Sequence, residues 1–234
     1  MSLISREPRP LSRDRYPSQF RDDRIFLIAC DDRYAPKQYF QFFEMRRITI
    51  VVAAAEDNRS APQHALDRLR EKRSKMKLEK HDECWLVLDT DHHLEQNHRP
   101  NFIRLILDAE NEGVKVALSR PCFEFWLLLH HVDEITASTL AECSDVENSI
   151  RSVVGQYNKT NLKREHFSSG SVEAATLRAE RLDLTVPGGH LPEAPTTRIY
   201  KLIRGIAAKG LPSELPSELR ALVTPAENAA AQID

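Results

Sequence analysis

Short continuous apolar runs recur along this chain, each followed by a segment whose apolar residues return every three to four positions. The runs at 25–29 (IFLIA), 48–54 (ITIVVAA), 84–89 (CWLVLD) and 114–118 (VKVAL) predict strands buried on both faces. The segment near Pro36 turns helical, with Tyr39, Phe40, Phe42 and Phe43 on its apolar side. A second helix is predicted over 60–79, capped by Ser60, with Ala65, Leu69, Lys72, Lys75 and Met76 at helical spacing. A third spans 99–113, facing Phe102, Ile103, Ile106 and Leu107 inward and ending at Gly113. A fourth, strongly apolar helix covers 120–131, with Pro121 near its first turn. The order β-α-β-α-β-α-β-α predicts an α/β fold: an open, mainly parallel four-stranded sheet with helices on both faces.

Amphipathic helices are then expected at 145–157, 171–183 and 196–209, with a turn-rich connector at 186–195. This divides the chain into a flexible N-terminal segment (1–23), an α/β core (24–135), a helical C-terminal part of the same domain (136–209) and a flexible tail (210–234).

The 234 residues are 41% hydrophobic and 29% charged, with a net charge of −2, as for a soluble globular protein. The longest apolar run, 125–129, is far too short to cross a membrane. The N-terminus has no apolar signal core, so a cytoplasmic protein is expected. Cys30, Cys84, Cys122 and Cys143 include no C-x-x-C pair and read as buried free thiols in a reducing compartment. With seven glycines and neither GxxxxGK[ST] nor GxGxxG, the chain offers no phosphate-binding loop of its own.

In such a sheet, functional groups collect where the strands end. The ends here carry Asp31-Asp32, then Asp89 and Asp91, then Arg120 with Glu124 just beyond. Aspartates at i and i+2 can converge past a strand end, and converging carboxylates repel unless protonated or bridged by a hard cation. Mg²⁺ or Mn²⁺ bound there would suit phosphodiester chemistry. The same aspartates also suit turn and cap positions. His92 and His93 follow, as a general base, a phosphate contact or exposed turn residues. Glu124, alone in an apolar helix, needs a partner: either the helix N-terminus and Arg120, or the metal site. Basic residues run from Arg68 to Lys80, as on a solvated helix face. Lys159, Lys163 and Arg164, after Tyr157-Asn158, form the better nucleic-acid candidate because they lie in a loop.

The stretches FLIACDD…YF, CWLVLDTDHH, RPCFEFWLLLHH, YNK and APTTRIYKLI, within residues 24–207, resemble the RloB-like family. The resemblance implies a TOPRIM-related fold and a Mg²⁺- or Mn²⁺-dependent nuclease, an abortive-infection effector of prokaryotic antiviral defence. DNA or RNA, transfer RNA included, is then the substrate. It also implies an ABC- or AAA-type ATPase partner, and leaves self-association open. Asp89 and Asp91 match the family's D-x-D, His93 its histidine and Glu124 its helix Glu. Asp31 stands where the family has Glu in C-E-G-E, and Asp32 replaces the glycine. The resemblance thus implies Asp31, Asp89 and Asp91 as metal ligands, and Asp31, Glu124 and His93 as catalytic. Arg120, Lys159, Lys163 and Arg164 would hold nucleic acid. The altered first motif also fits a non-catalytic nucleic-acid-binding or regulatory subunit of a defence ATPase complex.

Overall fold

The computed structural model describes residues 23–55, 60–90, 98–186 and 188–223. Strands β1 (Arg24–Cys30), β2 (Ile48–Ala53), β3 (Glu83–Asp89) and β4 (Lys115–Arg120) pair in parallel. They alternate with helices α1 (Ala35–Gln41), α2 (Pro62–Lys75), α3 (Arg99–Asn111) and α4 (Phe123–Leu128). The remainder supplies α5 (Glu134–Ser138), α6 (Cys143–Val154), α7 (Ser169–Thr185), β5 (Thr196–Thr197), α8 (Ile199–Lys209) and the short α9 (Ser217–Arg220).

The sheet has five strands in the order β2-β1-β3-β4-β5, one more than the sequence predicts. The extra strand is two residues long and runs antiparallel to β4. Two residues are too few for a periodic signal. Thr196 and Thr197 were therefore absorbed into the predicted helix, which in fact begins at Ile199. Ser119 and Thr197 meet across this pairing, with hydroxyls 2.8 Å apart and both residues buried.

Side-chain alternation along the strands divides the core. Phe26, Ile28, Trp85 and Val87 join a cluster with residues of α1, α4, α6, α7 and α8. Ile25, Leu27, Leu86 and Leu88 join the opposite cluster with α2 and α3. Covered on both faces, the sheet exposes functional groups only at its ends and edges.

Three further expectations change. Helix α2 starts at Pro62 with Ala61 in the capping position, so Ser60 is not its cap. That helix ends at Lys75, short of the predicted residue 79, and Lys72 and Lys75 lie exposed. Cys122 and Cys143 are bonded as a disulfide, with Cα atoms 5.9 Å apart, whereas Cys30 and Cys84 are free and buried. The pairing is invisible in sequence because the partners lie 21 residues apart, Cys122 just before α4 and Cys143 at the start of α6. Among the described residues no helix is long and apolar enough to cross a membrane.

Candidate active site

The parallel pairing of β1 with β3 sets Cys30 opposite Val87, so the two strands end close together. Asp31, the first residue past β1, turns toward β3 and its Oδ2 accepts the backbone N–H of Asp89 (3.0 Å). The Asp31 side chain is almost wholly enclosed, with the residue 7% exposed. Burial raises its pKa to about 7, partly opposed by the hydrogen bonds from the Asp89, Asp31 and Asp32 backbone. Beneath it the Cys30 thiol is pushed well above its usual value by burial and by the neighbouring aspartates.

Asp32 turns the other way. Its Oδ1 accepts the N–H groups of Tyr34 (2.5 Å) and Ala35 (3.1 Å), which organises the entry to α1. Its Oδ2 lies 3.0 Å from Lys159 Nζ. The same ammonium is 3.6 Å from Glu124 Oε1, and Tyr157 donates its hydroxyl to that oxygen (3.1 Å). Glu124 is 2% exposed in the first turn of α4. Burial holds its carboxyl above the usual range, and Lys159 draws it part of the way back. Burial alone would lower the Lys159 ammonium, but Glu124 and Asp32 outweigh it and keep the group protonated. Burial and Glu124 together hold Tyr157 in its protonated, donating form.

The strand ends therefore carry two adjoining acidic groups, Asp31 with Asp89 and Asp32 with Glu124, and Lys159 serves the second. Among the described residues no group of three or more His, Cys, Asp or Glu side chains is arranged to hold a metal ion. Asp91, His92 and His93 lie outside the described residues.

The predicted nucleic-acid residues separate. Lys159 joins the acidic cluster. Arg120 donates to the Pro192 carbonyl (2.7 Å), so it is not the partner of Glu124. Lys163 is exposed, and Arg164 pairs with Glu218 at 3.3 Å. Asp32 and Tyr157 are the site residues that sequence reasoning missed. Asp32 was placed at a strand end but given no role of its own, and Tyr157 was read only as an aromatic beside basic residues, although both stand in the stretches that carry the resemblance.

A family model described as RloB-like protein matches residues 26–206. The chain belongs to the RloB-like family. No curated protein and no solved structure matches the chain. The RloB-like match runs from β1 into α8 and so takes in both acidic groups and the Tyr157–Lys159 stretch.

Proposed function

We propose that this RloB-like chain is a divalent-metal-dependent phosphodiester hydrolase of nucleic acid, an effector of antiviral defence. The observation that carries this reading is the meeting of Asp31 and Asp89 at adjoining ends of parallel strands. Asp31 is enclosed, and its pKa near neutrality is that of a carboxyl held ready for a proton or a cation. The described carboxylates do not complete a metal site. Asp91 would have to join Asp31 and Asp89 to hold Mg²⁺ or Mn²⁺. Such an ion would polarise a phosphoryl oxygen and acidify a water molecule. Glu124, with Lys159 and Tyr157, would orient groups beside it, and His93 would act as a further acid–base group. The resemblance also suggests an ABC- or AAA-type ATPase as partner.

One observation favours a second reading, that of a non-catalytic nucleic-acid-binding or regulatory subunit. The Lys159 ammonium already bridges the Asp32–Glu124 pair and offsets one of its two charges, in the place a bound cation would take.

The test is cleavage of single- and double-stranded DNA and RNA by the full chain with Mg²⁺ or Mn²⁺, with and without the proposed ABC- or AAA-type ATPase partner. Wild type and Asp31→Glu should cut, whereas Asp89→Asn and Asp31→Ala should not. If wild type and Asp31→Glu are both inert on every substrate, the second reading replaces the first.

A further inference from the structure

Helix α2 carries basic residues on two faces. Arg70 pairs with Glu112 and with Asp67 (3.2 Å), and Arg73 donates to the Glu112 carbonyl (2.9 Å), so these two look toward the end of α3. Arg68, Lys72 and Lys75, four and three positions apart, share another face. Together with Arg33 and Lys37 they line a cleft of about 810 Å³ beside the end of β2. Among the described lining residues these five basic side chains face one carboxylate, Glu71, which is itself engaged by Lys75 (2.5 Å). Arg33, Lys37, Lys72 and Lys75 are exposed. A cleft with so unequal a balance attracts a polyanion.

The same cleft is tied to the acidic site. Arg68 donates to the carbonyl of Cys30 (2.7 Å), the residue before Asp31. Gln38, on the cleft wall, donates to the Lys159 carbonyl (2.8 Å) and accepts the Leu162 N–H (2.9 Å). A chain lying in the cleft would thus end beside Asp31, Asp32 and Lys159.

Tyr34 supplies the second kind of contact. Tyr34 is 37% exposed on the cleft wall, with the Arg33 guanidinium over its ring at 5.2 Å. Cations tracking a backbone beside an aromatic face are the elements that hold single strands. The cleft volume is that of a small-molecule pocket, room for a few nucleotides but not for a double helix.

We infer that this cleft binds a short single-stranded nucleic acid and leads it to the acidic strand ends. Lys37 and Lys72 hold phosphates and Tyr34 stacks on a base. The inference rests on the nucleic-acid reading for its substrate class and adds the path and the strandedness.

Fluorescence anisotropy of the full chain in EDTA, over a salt series, tests it without requiring cleavage. The probes are fluorescein-labelled DNA and RNA single strands of about ten nucleotides, and duplexes of the same sequence. Wild type should bind single strands more tightly than duplexes. Lys37→Glu/Lys72→Glu should weaken single-strand binding about tenfold or more, with a salt slope shallower by about 1.4 for two lost contacts. Tyr34→Ala should cost about fivefold or more on single strands and spare duplexes. Lys77→Glu/Lys80→Glu, the same charge change just beyond α2, should stay within about twofold.

Equal losses from both reversals would overturn the inference, as would a loss confined to Lys163→Glu/Arg164→Glu, equal affinity for duplex, or no binding at all. Cleavage by the wild type with undiminished binding by the Lys37/Lys72 variant would sink the cleft and leave the nuclease standing. Binding through the cleft without cleavage under any condition would do the reverse.

Discussion

At neutral pH the Asp31 carboxyl is divided between its charged and neutral forms, because burial raises its pKa from 3.8 to about 7. Between those values the folded chain holds a proton that the unfolded chain has released. The stability this group contributes is full below that window and is lost as pH rises through it. Asp31→Asn cannot titrate. The stability difference between wild type and this variant, from urea unfolding, should shift against the wild type as pH rises from about 4 to about 7. A divalent cation competes with the same proton. Calorimetric Mn²⁺ affinity should therefore rise with pH through neutrality in the wild type, and be much weaker in Asp31→Asn and Asp89→Asn. Unchanged affinity in both variants would reduce these aspartates to turn residues. Lys159 acts at the same scale. Lys159→Met leaves Asp32 and Glu124 facing each other without a cation. Because its side chain is 40% exposed, solvent screening trims the expected loss to about 1–2 kcal/mol, read by denaturant unfolding.

Among the elements, β5 is the shortest and yet joins the C-terminal helices to the sheet. Its Thr197 hydroxyl meets Ser119 in a fully buried contact and also lies 3.3 Å from the Ile199 N–H at the start of α8. Thr197→Val keeps the shape and strands the Ser119 hydroxyl. A buried polar group left unpaired costs about 1–3 kcal/mol, so the unfolding midpoint should fall accordingly. Adding Ser119→Ala should recover part of the loss, because the stranded Ser119 hydroxyl is then gone and the Ile199 N–H alone has lost its acceptor. A double variant as unstable as the sum of its parts would mean that the contact contributes packing alone. Helix α4 is the opposite case. All six of its residues are buried, which is why periodicity marked it as apolar throughout but could not say which face met the sheet.

For the molecule as a whole, α4 is a hub. It packs against α1, β4, β5, α6 and α7, so its surroundings come from both halves of the chain. Tyr39 of α1 hydrogen-bonds His130 Nε2 (3.1 Å) just beyond α4, and His130 Nδ1 meets the Trp126 carbonyl (2.9 Å). That arrangement makes Nδ1 the donor and keeps His130 neutral, in line with a pKa lowered to about 3 by burial. A chain ending at residue 135 would uncover Phe125, Trp126, Leu127 and Leu128. At about 1.5–3 kcal/mol for each such side chain, the loss matches a typical domain's entire stability of about 5–15 kcal/mol. The truncated chain should show no cooperative thermal transition by circular dichroism, while a chain covering 23–223 should retain one. A cooperative melt of the short form would establish the α/β part as an independent unit.

By itself the sequence determined the order of the first four strands and helices and the places of α6, α7 and α8, because burial on both faces writes a continuous apolar run and amphipathic helices write a period near four. It likewise placed Asp31, Asp89 and Glu124 near the strand ends, since acids that follow such runs have nowhere else to go. The tertiary structure alone decided how those acids divide. Asp31 and Asp32 are neighbours in the chain, yet one turns to Asp89 and the other to Lys159, 127 residues away. A local pattern carries no record of such a contact, because the partner arrives on a loop whose path depends on where α6 and α7 pack. The cleft is of the same kind. Its positive charge is spread over Arg33, Lys37 and α2, and only the folding of α1 and α2 around the end of β2 makes one surface of them.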